Sequence, residues 1–277
     1  TASASGSLSS VRIDATTGRI TSTDAGFMEP DEYYITVYEI GLCSSYTEPD
    51  TQNAIAYANS SVVYSNPTGM RVLVRNGVST PLEGSVERPA NGAYVYGYAV
   101  IAPQFEVKAK AKFATDRYKN NSDGSSLFAS AGTLCYSKSG SSSYAYASSA
   151  HNPGTATMVS TSLSDWGVTT QYQNSFGSYD NGNLPVYSWS NGTLHAYLVN
   201  TQGKLPTPSL NQENTIGSVS RLIGLIPVNV AVSDGINSMT LSFKVTQGCT
   251  VGQSTSGSNH TLEFFGGGPF EIQIAVQ

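Results

Sequence analysis

The chain has 277 residues, of which 39% are hydrophobic and 12% are charged, and its net charge is −5. A hydrophobic fraction of this size can fill a real core at this length, so the composition argues against a disordered chain. The acidic balance argues against nucleic acids and anionic membranes as partners, because binding to phosphates depends on clustered Lys and Arg. Tyr, Val, Thr and Ile suit a pleated surface better than a helix, so we expect no long exposed helices.

The chain starts with six small residues, Thr1 to Gly6, and shows no apolar run long enough for a membrane helix. Small residues of this kind are common just after a signal-peptidase cut. We therefore expect a secreted, extracellular or cell-surface protein with no membrane insertion. A start chosen for expression would look the same.

Residues 1–25 form a predicted N-terminal extension that carries a candidate donor strand. Its apolar side chains partly alternate with polar ones and comprise Leu8, Val11, Ile13 and Ala15. A strand of this kind needs a partner sheet. It can pair within its own subunit, or it can enter a groove on the next subunit by β-augmentation. A head-to-tail contact that does not close builds an open polymer.

Residues 33–42 are apolar on both faces, which predicts a central strand that is covered on each side. Residues 70–74 read as another strand, which the hairpin signal Asn76-Gly77 closes. In the strand that follows, three tyrosines are expected to form a ladder on one face, opposite small residues: Tyr94, Tyr96 and Tyr98.

Pro103 ends that run, and a half-buried strand is predicted after it. Its polar side chains should point outward: Glu106, Lys108, Lys110 and Lys112. Its apolar side chains should point inward: Phe105, Val107, Ala109, Ala111 and Phe113.

Two polar segments rich in Ser, Gly and Asn, residues 115–164 and 169–191, are predicted to be long loop insertions. Strand signals return in five later segments: residues 193–199, 222–232, 239–245, 261–265 and 270–276. About ten strands without intervening helices predict an all-β fold, an antiparallel β-sandwich or jelly roll. Residues 26–277 are expected to form one domain, and a split near residue 160 is the alternative.

Three cysteines lie far apart in the sequence, at Cys43, Cys135 and Cys249, without the spacing of a zinc or redox site. In an oxidising compartment, two of the three are expected to pair. We favour a Cys43–Cys135 disulfide, because each follows a strand-like run and borders a polar loop. Cys249 is then a small buried hydrophobic residue.

Residues of the types used in catalysis are present, but their spacing predicts no active site. The three histidines, His151, His195 and His260, have no close partner of the kind that metal sites use. The G-x-S-x-G motif, which holds the nucleophilic serine in many hydrolases, is absent. Carboxylates on or beside strands could serve a glycosidase, but an outward, solvated position is the simpler interpretation: Glu32, Glu39, Glu106, Glu263 and Glu271. We expect no enzyme, no cofactor and no metal.

Several aromatic residues could form a stacking platform for sugars, although tyrosine is also common in sheets. Trp166 and Trp189 lie in or beside the polar insertions and are the better candidates for glycan contact. The others are Tyr34, Tyr38, Tyr94, Tyr96 and Tyr98. Residues 180–183 have the composition of a calcium loop without its spacing, and a turn is the simpler interpretation.

Three stretches carry a resemblance to secreted β-rich proteins of aquatic bacteria: residues 29–43, residues 89–98 and Cys135-Tyr136. The resemblance covers about residues 29–136 and agrees with export and the Cys43–Cys135 pairing, but it implies no activity. In organisation alone, the chain is similar to donor-strand filament subunits.

The sequence therefore predicts a structural subunit of an extracellular filament or pilus-like fibre on a bacterial surface. Copies of the chain would be its partners, and they would assemble head to tail by strand donation. The alternative is a carbohydrate-binding adhesin or lectin-like module, with glycans as partners. Viral fibre and capsid proteins also use jelly rolls, but the start of the chain and the predicted cysteine pairing count against them.

Overall fold

The computed structural model contains strands and turns, and no helix, in the residues that it describes. The described residues are 13–14, 19–20, 26–50, 52–75, 80–113, 117–120, 126–129, 134–137, 139, 144–146, 157–162, 186–189, 192–204, 219–235, 238–246, 248–256, 259–267 and 270–276. Among these residues, the strand pairings are antiparallel apart from one parallel pairing. The predicted all-β class is confirmed, and the layering is that of a β-sandwich. The jelly-roll connectivity and the single-domain interpretation remain predictions.

The strands are numbered in chain order. They are β1 (Ile13–Asp14), β2 (Arg19–Ile20), β3 (Gly26–Met28), β4 (Glu32–Cys43), β5 (Ser45–Thr47), β6 (Ala56–Ala58), β7 (Ser61–Val74), β8 (Ser85–Val86), β9 (Gly92–Ile101), β10 (Gln104–Lys108), β11 (Lys110–Phe113), β12 (Arg117–Asn120), β13 (Ser126–Ala129), β14 (Leu134–Ser137), β15 (Tyr144–Tyr146), β16 (Val159–Ser162), β17 (Val186–Trp189), β18 (Gly192–Val199), β19 (Arg221–Val232), β20 (Met239–Lys244), β21 (Cys249–Ser256), β22 (Asn259–Gly267) and β23 (Glu271–Val276).

A nine-stranded sheet forms one layer of the sandwich, with β4 at its centre. Strand β7 pairs with one edge of β4, while β9 and β10 pair with different parts of the other edge. From β9 the sheet continues through β19 and β18 to β17. Tyr33, Ile35 and Val37 of β4 are buried on one face, and the side chains between them are half-buried on the other. The prediction that residues 33–42 form a central strand is confirmed.

Smaller sheets, among them β20–β23 and β3–β21–β22, form the second layer. Ile274 of β23 reaches the backbone of β9 at Gly97, where no room is left for a Cβ atom. An aromatic group lies in the core between the layers. The ring centroid of Phe105 is 6.0 Å from that of Tyr33 and 5.4 Å from that of Phe270. Burial of these side chains is the main stabilising contribution that holds the layers together.

The half-buried strand predicted after Pro103 is confirmed in part. Phe105, Val107 and Ala109 are buried, at 1%, 0% and 0% exposure. The side chains of Ala111 and Phe113 lie outside the described part of the structure. Of the outward residues, Lys110 is exposed, and Glu106 and Lys108 are half-buried and each form an ion pair. The side chain of Lys112 lies outside the described part of the structure.

The predicted tyrosine ladder is correct for two of its three members. Tyr96 and Tyr98 pack in the same hydrophobic cluster. Tyr94 packs instead in another cluster with Leu42 and Val63. Strand β19, the neighbour of β9, shifts its register between Pro227 and Val230, opposite this part of β9. The extra residue of this bulge lies in β19, and it disrupts the pairing of β19 with β9 at this end of the ladder.

The predicted polar insertions contain strands that the sequence analysis did not anticipate. Strands β12 to β16 fall within residues 115–164, and β17 falls within 169–191. Short apolar groups in an otherwise polar run, such as Leu127-Phe128 and Leu134-Cys135-Tyr136, supply the strand-forming residues. The Asn76-Gly77 turn and residues 180–183 lie outside the described residues.

The predicted Cys43–Cys135 disulfide is not formed, because Cys43 carries a free, buried thiol. Cys43 ends β4, whereas Cys135 lies in β14, opposite Ala111 of β11. Strand β11 follows Lys108, which pairs with Glu32 at the other end of β4. The rise along β4 between these ends is about 35 Å at ~3.3 Å per residue. A disulfide requires Cα atoms within about 7 Å of each other, so Cys43 and Cys135 lie too far apart to pair. Cys249 is buried, as predicted.

Candidate functional site beside the outer edge of strand β20

Strand β20 lies in the second layer and shows a regular alternation of its side chains. Met239, Leu241 and Phe243 pack against the core, while the residues between them are exposed. One edge of β20 pairs along its whole length with β23. Among the described residues, no strand pairs with the other edge. This edge therefore has main-chain groups available to bind another strand.

A cleft of about 950 Å³ lies beside this edge. Strands of the large sheet form its floor, with Val37 of β4 and Val72 of β7. Leu82 and Val86 lie on the side opposite β20, and Val86 is 67% exposed. The cleft thus has an apolar floor, one wall made by a strand edge, and a second wall on which Val86 presents an apolar side chain to solvent.

The charged residues of the cleft are confined to one end. Met239 packs with Leu42, at the end of β4, whereas Phe243 contacts Phe270, which in turn contacts Tyr33 at the start of β4. Strand β20 therefore runs antiparallel to the β4 strand beneath it. The charged lining residues are Glu29, Arg75 and Lys244, and all three lie towards the start of β4.

The edge of β20 that borders the cleft has the length of a short strand. The six residues of β20 span about 20 Å at ~3.4 Å per residue, and five residues of an added strand would span about 17 Å. An added strand could place alternate side chains on the apolar floor while its backbone pairs with β20. The arrangement is suited to strand addition and offers no catalytic geometry in its described lining.

The predicted linking residues are described only in part. Ile13 lies in β1, which pairs with β2 of the same chain over two residue pairs, Ile13 with Ile20 and Asp14 with Arg19. Strand β2 continues in parallel beside β11. The other predicted linking residues, Leu8, Val11 and Ala15, lie outside the described residues.

The aromatic residues predicted as a sugar platform are mostly covered. Tyr94 and Tyr98 are buried. The guanidinium of Arg71 lies 3.4 Å from the ring centroid of Tyr34. That of Arg221 lies 3.6 Å from the ring centroid of Tyr38. Each ring therefore has one face occupied. Tyr96 forms a T-shaped ring contact with Tyr46. Trp166 lies outside the described residues, and only the backbone of Trp189 is described, in β17.

The predicted carboxylates that are described interact with cations or with a hydroxyl. Glu32 accepts from Lys108 at 2.7 Å, and this hydrogen bond lowers the pKa of the carboxyl. Glu106 pairs with Arg71, and Glu271 pairs with Lys244 at 2.9 Å. Glu39 accepts from the Tyr98 hydroxyl at 2.9 Å. The side chain of Glu263 lies outside the described residues.

The structure describes the side chain of one of the three histidines. His195 of β18 is half-buried, and its Nδ1 lies 2.9 Å from the Tyr46 hydroxyl. His151 lies outside the described residues, and His260 is described only in its backbone. Within the described part of the chain, no group of three His, Cys, Asp or Glu residues could hold a metal ion. In the same part, no helix has the length and apolar character of a membrane span.

Sequence reasoning identified β20 as a strand but missed its unpaired edge, its cleft and the Tyr46–His195 contact. The alternation in residues 239–245 was the available signal for the strand. No local signal reports which edge of a strand lacks a partner. Comparison of the chain with family models, with curated proteins and with solved structures found no match.

Proposed function

We propose that this chain is the structural subunit of an extracellular filament, and that the N-terminal extension of one subunit adds a strand beside β20 of the next. The single observation that supports this most directly is the apolar cleft along the edge of β20. Its occupant would be residues 8–15 of a second copy of the chain. The contact is head to tail, so repeating it without closure builds a fibre.

The chemistry of the two surfaces supports this pairing. Val11, Ile13 and Ala15 share one side of an extended segment, and the polar Arg12 and Asp14 lie on the other. The apolar side matches the floor of the cleft, and the polar side would face solvent beside the exposed residues of β20. Because main-chain hydrogen bonds and apolar burial act together in strand addition, a short segment can bind firmly.

The intramolecular pairing of β1 does not prevent donation. It involves two residue pairs at the edge of a five-stranded sheet, so release breaks few main-chain hydrogen bonds. Release would therefore cost little compared with burial of three apolar side chains in the cleft, at about 25 cal/mol per Å² of apolar surface.

Secretion is part of the same proposal. For the alternative function, glycan binding, the described aromatic residues offer no open platform.

Electron microscopy of the purified chain tests the proposal directly. We expect regular filaments with a subunit-sized repeat, together with concentration-dependent sedimentation. Dispersed single particles over a wide concentration range would contradict the filament role and would turn attention to glycan-binding screens.

A substitution in the wall of the cleft tests the site. Leu241→Asp places a charge on the core-facing side of β20, where an incoming strand would have to bury it. We expect loss of filaments, seen by electron microscopy and sedimentation. The matched control is Thr240→Asp, one residue earlier on the exposed side of the same strand, and it should assemble. Circular dichroism must show that both variants are folded. Filaments formed equally by folded Leu241→Asp protein would exclude this cleft as the joint.

A further inference from the structure

A short tether joins the proposed donor segment to its own subunit. Strand β2 begins at Arg19 and pairs with β11 of the same chain. With a donor strand that ends at Ala15, only residues 16–18 separate it from β2. The four residue steps from Ala15 to Arg19 span at most about 14 Å, at ~3.5 Å per residue. A compact chain of 277 residues has a radius of gyration of about 19 Å. Neighbouring subunits must therefore meet beside the donor strand as well as through it.

The surface beside the tether is cationic. Arg19 of β2 lies opposite Asp14 of β1 on one side and opposite Lys112 of β11 on the other. Lys110, two residues before Lys112, is exposed. Asp14 departs with the donor strand, and β2 then becomes the edge strand of its sheet. The sequences of β2, β11 and β14 contain no carboxylate. We call Arg19, Lys110 and Lys112 the basic edge.

The cleft beside β20 has exposed acidic residues towards one end. In the segment that forms its second wall, Glu83 and Glu87 are exposed and form no ion pair with the described residues. The neighbouring Arg88 already has an acidic partner in the loop before β20. The Glu87 amide donates to the Val63 carbonyl at 2.9 Å, and Val63 belongs to the cluster against which Met239 packs. We call Glu83 and Glu87 the acidic rim, which lies towards the Met239 end of β20.

The opposite end of the cleft carries a different charge. Two cations, Arg75 and Lys244, line it together with one acid, Glu29. A basic surface is attracted to the acidic rim and repelled by an excess of cations. The tether is therefore expected at the Met239 end, because the basic edge lies directly beside it.

This placement sets the direction of the added strand. Strand β20 runs from Met239 to Lys244, so a donor strand whose last residue, Ala15, lies beside Met239 runs antiparallel to it. The core-facing residues of both strands then coincide, since Val11, Ile13 and Ala15 lie opposite Phe243, Leu241 and Met239. Antiparallel pairing is also slightly more stable per residue than parallel pairing.

The parallel alternative gains little from charge. It would place Asp14 opposite Lys244, but Lys244 already pairs with Glu271 at 2.9 Å. It would also bring the basic edge to the end of the cleft that contains Arg75. Both effects favour the antiparallel arrangement.

Given the proposed filament function, we propose that neighbouring subunits form a second, electrostatic contact, in which the basic edge of one copy lies against the acidic rim of the next. Lys110, Glu83 and Glu87 are exposed, so the contact is open to solvent and weakens as salt is added. Its charges favour one direction of the donor strand over the other.

Charge reversal on the acidic rim tests this contact. The variant carries Glu83→Lys and Glu87→Lys, and sedimentation measures the critical concentration for assembly. At low salt we expect this concentration to rise about tenfold, because attraction is replaced by repulsion. In about 0.5 M salt the Debye length is about 4 Å, so the difference should shrink to less than about twofold. Circular dichroism must show that the variant is folded.

The matched control is a charge swap within one chain. Adding Lys110→Glu and Lys112→Glu to the reversed variant returns the net charge to −5 and restores opposite charges across the contact. We expect its critical concentration to lie within about twofold of that of the unmodified chain. Unchanged assembly of the first variant at low salt, or failure of the folded swap variant to recover, would overturn the proposal.

Zero-length cross-linking with a carbodiimide locates the contact in filaments mixed from isotope-labelled and unlabelled chains. We expect Lys110 or Lys112 to be joined to Glu83 or Glu87 of another copy. Cross-links from these lysines to Glu29 would place the tether at the other end of the cleft and overturn the proposal. Absence of filaments from the unmodified chain would remove the proposed function itself, whereas filaments insensitive to charge reversal would remove this contact alone.

Discussion

Removal of residues 1–16 is expected to abolish filament formation and to leave a folded, monomeric β-protein. The deleted segment contains the whole candidate linking strand, Leu8, Val11, Ile13 and Ala15. Among the described residues, the segment contributes the two-residue strand β1, which pairs with β2 and contacts β3, so we expect its loss to remove little from the core. Electron microscopy and analytical ultracentrifugation would follow assembly, and circular dichroism would follow folding.

Two single substitutions in the same segment, a variant and its matched control, test the same contact between subunits. Ile13→Asp changes a residue on the side predicted to enter the cleft, and Asp14→Asn changes its neighbour on the opposite side. The first should prevent assembly, because a carboxylate would have to be buried on an apolar floor. The second should assemble like the unmodified chain. Assembly of the truncated chain as efficient as that of the intact chain would refute strand donation by the N-terminus.

Phe105→Ala is expected to reduce the free energy of unfolding by about 3–5 kcal/mol, the usual cost of removing a fully buried phenylalanine ring. Phe105 is 1% exposed and packs between Tyr33 and Phe270 in the core that joins the two layers. The backbone at Gly267 also approaches it closely, with room for no more than a tight Cβ contact. Neighbouring groups are therefore too constrained to refill the space.

Urea unfolding, followed by tyrosine fluorescence and far-ultraviolet circular dichroism, would measure this loss. Val95→Ala is the control, since Val95 lies nearby in sequence but is 39% exposed, and its truncation should cost no more than about 0.5 kcal/mol. If Phe105→Ala and Val95→Ala had similar effects, the aromatic group would not be the centre of the core.

Segments with a clear local pattern were predicted well. Residues 33–42 combine apolar side chains on both faces, and they form the central strand β4. The alternation after Pro103 correctly identified the buried side of β10. In both cases, the information is contained in neighbouring residues, because the period of a strand is two.

Features that depend on distant contacts were predicted less well. Tyr46 and His195 are 149 positions apart, and nothing near either residue indicates that they meet. The cysteine pairing failed for the same reason. Flanking strand signals around Cys43 and Cys135 are alike. The order of the strands, however, places Cys43 at one end of β4 and the strand that contains Cys135 near the other end.

The sequence by itself determined that this protein is built from strands, since its alternating apolar residues can bury one side only on a pleated surface. It also determined that an apolar, alternating segment precedes the main sheets. Only the tertiary structure decided that β20 has an edge without a partner among the described residues, and that Tyr46 and Tyr57 pack against the buried cluster that contains Cys43. Strand pairing joins residues that are far apart in the chain, so the identity of each neighbour depends on the whole fold.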